Sequence, residues 1–311
     1  MIACVFSGQG SQIEGMGRQL VAASAEARQV YEEASDFLGY KVLDLDAAHL
    51  AMTTYAQPAI ITLSLAAWRT FCTQIESANL DERPFALAGF SLGEYSAIGA
   101  AGLLSLPQLL DLIRERGRLM QEASEANPGA MYAVLGLDDQ KIIDLLKSEP
   151  YQDQVFAANF NAPGQLVISG LAAPAAACAD DLRAAGARRI VQLNVSGAFH
   201  TPWMASAATE LARFAQGLSF HSTPLDFYAN PSGSLKDPAL AWPDYLAMQM
   251  CSPVRWTDEV KAIGLVGVSG FYEFGPGKVL TGLIRKILPG TATWSIEDAA
   301  GMEAAVQSLC Q

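Results

Sequence analysis

Residues 85–97 read Phe-Ala-Leu-Ala-Gly-Phe-Ser-Leu-Gly-Glu-Tyr-Ser-Ala, and the character of the chain changes midway. Residues 85–88 are short and apolar, which predicts a buried strand. Residues 94–101 have the composition of a helix start. A strand that enters a helix through Gly89-Phe90-Ser91-Leu92-Gly93 is the Gly-x-Ser-x-Gly turn on which a nucleophilic serine stands. Such a turn is so tight that only residues without a Cβ fit on either side of the serine. The hydroxyl then projects at a helix N-terminus, whose free N–H groups can stabilise an oxyanion. Short patterns of this kind also arise by chance in Gly-Ser-rich turns, so the rest of the chain has to supply partners.

Outward from this turn, apolar strand-like runs alternate with helical stretches, which predicts an α/β architecture. Residues 2–6 read as a strand, 7–12 as a glycine-rich loop, 17–34 as a helix and 56–74 as a long buried helix. The middle of the chain has another rhythm. Residues 130–137 are strand-like and 138–148 helical; 155–159 and 165–169 form a strand pair around Asn161-Ala162-Pro163-Gly164; 173–187 are helical and 189–195 a strand. That order, β-α-β-β-α-β, is the ferredoxin-like motif. It predicts a small subdomain at 127–197, inserted into a larger body made of 1–126 and 198–311, with a substrate cleft between them. The alanine-rich stretch 172–187 reads as a closely packed helix and not as a linker.

With 311 residues, 51% hydrophobic and 17% charged, the chain can bury one large core. A net charge of −12 argues against nucleic acid or an anionic membrane as the main partner, so an anionic ligand must meet a local cation. The cysteines Cys4, Cys72, Cys178, Cys251 and Cys310 are scattered and show no CxxC spacing, as expected of reduced thiols in the cytoplasm. No basic segment precedes residues 2–6, which are expected as a strand and not as part of a secretory leader. No apolar run approaches the roughly 20 residues needed to span a bilayer.

A serine alcohol needs a base, most often histidine, and the chain has three. His49 follows Asp44-Leu45-Asp46 in a polar connection, and His221 precedes the turn Ser222-Thr223-Pro224. His200 follows the loop Ser196-Gly197-Ala198-Phe199, where the chain leaves the insert and faces the cleft; it is the expected base. Asp180 and Asp181 lie between Ser91 and His200 in sequence but on the insert helix, where solvated roles are commoner. Neither is assigned to catalysis, and a backbone carbonyl could orient the imidazole instead. Leu109, Leu112, Ile113, Leu119 and Met120 form an apolar stripe at helical spacing, and Arg116 falls on it, whereas Arg114 and Arg118 do not. A buried guanidinium needs a partner. On position alone an internal salt bridge, or snorkelling at the helix edge, is favoured over a fork waiting for a substrate carboxylate.

Taken together, the motifs resemble the malonyl-CoA:acyl carrier protein transacylases and related acyltransferase domains. The matches span nearly the whole chain: Gly8-Gln9-Gly10-Ser11-Gln12, Gly89-Phe90-Ser91-Leu92-Gly93-Glu94, Arg116-Gly117-x-x-Met120-Gln121 and Asn159-Phe160-Asn161-Ala162-Pro163-Gly164-Gln165. They continue with Ser196-Gly197-Ala198-Phe199-His200, Gln249 ahead of Pro253-Val254-x-Trp256, and Gly275-Pro276-Gly277-Lys278-Val279-Leu280. The resemblance implies an α/β-hydrolase-like body with a parallel sheet, carrying a ferredoxin-like insert. It implies Ser91 as the acyl-accepting nucleophile, His200 as its base, and the main-chain carbonyl of Gln249 as the group that orients His200. The N–H groups of Gln9 and Leu92 are then the oxyanion hole, and Arg116 binds the free carboxylate of malonyl. Phe199 stands where malonyl-selective members often carry phenylalanine, a ring that leaves no room for an α-methyl group.

The implied reaction is ping-pong transfer from malonyl-CoA, through a malonyl-serine, to the phosphopantetheine thiol of holo-acyl carrier protein, with no metal and no bound cofactor. Fatty-acid and polyketide pathways both use such enzymes, including trans-acting polyketide synthase acyltransferases. Other readings are a hydrolase that clears stalled carriers and a non-catalytic carrier-binding subunit. Two positions depart from the family: Phe90 replaces a histidine and Ser7 a proline. Phenylalanine donates no hydrogen bond, so slower but surviving activity is expected. Lys278, Arg285 and Lys286, expected on one face of the C-terminal helix, and Arg188-Arg189 on the insert read first as solvated faces and second as docking patches for an acidic carrier. A monomer is expected.

Overall fold

The computed structural model describes residues 1–80 and 83–310. Its strands are β1 (Ile2–Phe6), β2 (Pro84–Gly89), β3 (Gly129–Leu135), β4 (Val155–Ala162), β5 (Gln165–Leu171), β6 (Arg189–Gln192), β7 (Asp226–Ala229), β8 (Ser234–Leu235), β9 (Phe271–Phe274) and β10 (Thr293–Ile296). They form two separate sheets, and the architecture is α/β.

The larger sheet runs β10-β9-β1-β2-β7-β8, parallel except for the short β8, which lies antiparallel to β7. Its central strand β1, Ile-Ala-Cys-Val-Phe, is buried along its whole length, as a parallel strand covered on both faces must be. Alternation divides it between two cores. Ile2, Cys4 and Phe6 join one, while Ala3 and Val5 join the other. The helix Thr53–Ser77 packs across the first face, apolar on nearly every side. Trp256, Val260, Ile263, Leu283 and Ile284 fill the second. Phe6 pairs in register with Gly89 on one side and Phe274 on the other. The carboxyl ends of β1, β2 and β9 therefore finish level, and the loops that follow them meet at one edge, where open parallel sheets place their ligands.

The smaller sheet, β4-β5-β3-β6, is antiparallel throughout. The helices Asp139–Leu146 and Ala172–Ala184 cover one face, burying Ile142, Cys178 and Leu182. Its other face carries Met131, Ala158 and Val167, with Phe199 packed against them. The chain enters this unit after the helix Leu106–Ala126 and leaves it at Ser196, where Gly129 N–H donates to the Ser196 carbonyl at 2.9 Å. A second tie joins the units: Phe160 N–H donates to Val254 O and Val254 N–H to Ala158 O, each at 2.8 Å.

Several element bounds differ from expectation. The helix expected over 17–34 is two helices, Arg18–Ala23 and Ala25–Leu38, because Ser24 turns extended and its side chain caps the second by accepting from Ala27 N–H. The last insert strand stops at Gln192. Lys278 is not within a helix; it precedes Val279–Ile287, which is followed by a further helix, Ala299–Ser308.

Candidate active site

The elbow is built as its glycines require. A Cβ on Gly89 would stand 2.0 Å from the Gly93 carbonyl carbon, and one on Gly93 would stand 2.0 Å from the Phe6 carbonyl oxygen. Neither site admits a side chain, because the end of β2 already touches the helix start at Gly89 and the helix start already touches β1 at Gly93. Ser91 between them adopts φ +53°, in the left-handed region, which costs about 1–3 kcal/mol for a non-glycine residue. The helix Gly93–Ala100 starts immediately behind it.

His200 reaches this serine from the other side. Its Nε2 lies 2.7 Å from Ser91 Oγ, a hydrogen bond that closes a gap of 109 residues. His200 also has a left-handed backbone, φ +59°, and its ring is buried. Nδ1 donates to the Ser252 carbonyl at 3.0 Å, which leaves Nε2 free to accept from the serine hydroxyl. The expected orienting carbonyl, that of Gln249, makes a second and smaller backbone hydrogen bond to the same ring beside that of Ser252. Both carbonyls lie at the end of the helix Trp242–Cys251, so the same turn supplies them. The Gln249 side chain has a different contact: its Nε2 donates to the Ser91 carbonyl at 3.0 Å. Burial, and after it the charge of Arg116, pushes the His200 pKa down to about 4, so the ring is neutral at neutral pH.

Arg116 is buried on the inner face of Leu106–Ala126, as its stripe position predicts. Among the described residues it has no salt-bridge partner, so the internal ion pair favoured on position alone is absent. One guanidinium nitrogen donates to Gln57 Oε1 at 2.9 Å, the guanidinium carbon lies 5.0 Å from the centre of the Tyr95 ring, and Nε bonds to nothing. A buried cation with spare donors is a site for an anion.

Gln9 lies in the loop after β1 and Leu92 opens the helix after β2. Among the described residues neither backbone N–H donates to a protein acceptor, whereas the next N–H groups are used: Gly93 to Phe90 O, Glu94 to Ser91 O and Tyr95 to Leu92 O. Phe199 is half-buried, packed against both the large core and the small sheet. A Cβ on Gly197 would come within 2.3 Å of its ring.

The other sequence candidates lie elsewhere. His49 is exposed and pairs with Asp46, and His221 is exposed. Asp180 pairs with Arg183, and Asp181 accepts from Tyr151. Phe90 sets its ring edge-on to Trp256, with centroids 5.8 Å apart. Ser7 gives its N–H to Phe274 O at 3.0 Å and its hydroxyl to the buried Glu273 at 3.2 Å, and a proline could make neither bond. Glu273 in turn accepts from the N–H groups of Leu280 and Thr281, capping Val279–Ile287. Sequence reasoning passed over Glu94, Asn230 and Ser252, which surround the elbow.

A family model described as acyl transferase domain matches residues 3–292. The chain is 36% identical over 315 residues to the malonyl CoA-acyl carrier protein transacylase of Bacillus subtilis, covering 99% of this chain and 97% of that protein. It superposes on the malonyl-CoA:acyl carrier protein transacylase of Xanthomonas oryzae with a TM-score of 0.91 and 37% identity, over 99% of this chain and 98% of that one. It is similar also to a structure described as a type II PKS acyl-carrier protein in complex with its malonyl-transacylase, with a TM-score of 0.92, 37% identity and 99% of each chain covered.

Proposed function

Since the chain belongs to the acyl transferase family and, within it, to the malonyl CoA-acyl carrier protein transacylases, we propose that Ser91, His200 and Arg116 together carry malonyl transfer. The protein moves a malonyl group from malonyl-CoA to an acyl carrier protein. The single observation that carries our assignment of the site is Arg116. It is a buried guanidinium with an unused N–H and, among the described residues, no salt bridge to a carboxylate, and its charge lowers the imidazole pKa of His200.

Ser91 Oγ attacks the thioester carbonyl as His200 Nε2 takes its proton. Charge on the carbonyl oxygen is met by the N–H groups of Gln9 and Leu92. The C–S bond then breaks, and the imidazolium returns its proton to the departing CoA thiolate. A malonyl-serine ester remains, its carboxylate on Arg116. The phosphopantetheine thiol of the carrier next gives its proton to His200 and attacks the ester, and Ser91 recovers the proton. Phe199 bounds the acyl site and disfavours an added methyl by ~1–3 kcal/mol.

We read residues 127–197 as a ferredoxin-like subdomain inserted in an α/β-hydrolase-like body. Support comes from the sheet order β4-β5-β3-β6, with a helix after the first and third of its strands in sequence. The proposed site needs one chain only, which supports a monomer. Free cysteines and the lack, among the described residues, of any helix long and apolar enough to cross a membrane are consistent with the cytoplasm.

Intact-mass analysis after mixing with malonyl-CoA tests the reading. A malonyl adduct on Ser91 that moves to holo-carrier is the expected result. Rapid release of free malonate would indicate a hydrolase, and the absence of any adduct would overturn the assignment.

A further inference from the structure

Behind the elbow lies a polar cluster whose side chains the reaction does not use. Asn230, Glu94, Glu259, Tyr245 and Gln249 are all fully buried. Asn230 follows β7, which lies parallel beside β2, so its side chain arrives where β2 turns into the elbow. Its Oδ1 accepts from Ser91 N–H at 2.8 Å, while its Nδ2 donates both to the Gly89 carbonyl at 2.7 Å and to Glu259 Oε1 at 2.8 Å. Its own backbone is held as well: the N–H donates to Glu94 Oε1 at 2.7 Å and the carbonyl accepts from Arg255 N–H at 3.0 Å. Tyr245 adds a second bond to Glu94 Oε1 at 2.5 Å.

We propose that Asn230 is a positioning residue for the nucleophile, its carboxamide stapling the elbow on both sides of Ser91 and holding that residue in its left-handed conformation. The chemistry fits one side-chain type. Around this point the elbow offers one N–H that needs an acceptor, and the elbow and Glu259 offer two oxygens that need donors. A carboxamide presents one acceptor and two donors at a single end. Aspartate lacks the donors, leucine lacks both, and a glutamine of the same chemistry is a methylene too long. The bond to Ser91 N–H also sorts the elbow's amides. It occupies that N–H, so the unused one that can meet an oxyanion is the next, on Leu92. Gln249 completes the grip by holding the Ser91 carbonyl from the opposite side. A left-handed serine has no conformational preference of its own for this shape, so the staple keeps Oγ in line with His200.

This proposal rests on Ser91 being the nucleophile, and it is tested with a reagent that needs no malonyl group. A fluorophosphonate forms a bond from Ser91 Oγ to phosphorus with loss of fluoride and the serine proton, at a rate set by the Ser91–His200 pair. Asn230→Leu keeps the volume and removes the staple; labelling per folded molecule should fall about 10²-fold, the loss expected from an ångström-scale displacement of a reacting group. Asn230→Asp combined with Glu259→Gln keeps the acceptor for Ser91 N–H and exchanges donor and acceptor across the Glu259 contact without changing net charge, but loses the donor to the Gly89 carbonyl. With one of the two elbow arms kept, its labelling should fall only about tenfold, less than that of Asn230→Leu. Should Asn230→Leu fail to fold, Asn230→Ser, too short to reach Ser91 N–H, takes its place with the same expected loss. Equal labelling of wild type and the staple-free variant would overturn the proposal, as would equal loss in both exchanges at matched folded fraction. Wild-type protein that labels at Ser91 but never takes up malonyl would instead overturn the functional reading and leave the staple standing.

Discussion

Arg116 acts on two charges at once. It offers donors to an anion, and its own charge helps to hold the His200 pKa down to about 4. Removing it has consequences of opposite sign. Arg116→Met should lower malonyl loading by ~10²–10⁴-fold, the effect of losing a charged partner worth about 3–5 kcal/mol, while loading of an uncharged acyl donor is retained. The same variant should melt about 2 °C higher, since a buried cation without a counter-ion is replaced by an apolar chain. The His200 titration should also move. With the nearby cation gone, the imidazole pKa rises toward the ordinary 6.5, so the acid limb of fluorophosphonate labelling shifts to higher pH. Phe90 is a milder case, because its ring packs on Trp256 and donates nothing to the nucleophile. Phe90→His should change turnover by less than about tenfold, the low end of what one auxiliary hydrogen bond supplies. Recovery from near-zero activity to a normal rate would contradict that account.

At the scale of elements, two glycines in helices make a controlled contrast. Gly93→Ala drives a Cβ to 2.0 Å from the Phe6 carbonyl oxygen, so the helix Gly93–Ala100 must shift against β1. A loss of about 1–3 kcal/mol or more is expected, together with loss of the Ser91 adduct. Gly282, exposed in Val279–Ile287, meets nothing within 4 Å, and Gly282→Ala should stabilise by about 0.4–1 kcal/mol without changing loading. Thermal melts and intact mass read both. These helices also mark how far the sequence could be read. The elbow was legible because its constraint is local: glycine, serine and glycine within five residues, between an apolar strand and a helix. The β-α-β-β-α-β order of the middle segment was legible from periodicity in the same way. Ser24 was not, since a cap inside a long helical pattern changes one residue's φ and ψ and no hydrophobic spacing. Asn230 was invisible for a different reason: its partner Ser91 lies 139 residues away, and nothing near it in sequence signals a hydrogen bond across parallel strands. Arg116 was placed correctly on its buried face, but position alone favoured an internal salt bridge or snorkelling over a fork for a substrate carboxylate; the stripe fixes burial, whereas the lack of a salt-bridge partner among the described residues is set by the whole fold.

Over the whole molecule, buried ionisable groups set a pH optimum. His200 has a lowered pKa, so the unfolded chain binds the extra proton between about 6.5 and 4, and stability falls as pH drops through that window. Burial raises Glu94, to about 8, and Glu259, and the charge of Glu94 adds to the rise of Glu259. Tyr245, Tyr95 and Arg116 also face Glu94, the arginine opposing the shift. A raised carboxyl binds its proton more tightly when folded, so stability is lost as pH climbs above the ordinary carboxylate range. Glu94→Gln keeps the acceptor used by Asn230 and Tyr245, and its melting temperature should decline less than that of wild type between about pH 6 and pH 8.5. The long reach between serine, imidazole and carbonyl also governs when chemistry begins during synthesis. The alcohol emerges from the ribosome first, its base follows 109 residues later, and the carbonyl that fixes that base's tautomer another 52 after that. A chain that ends before Ser252 lacks the carbonyl that fixes the base's tautomer, and is expected to take up no malonyl from malonyl-CoA in the intact-mass assay.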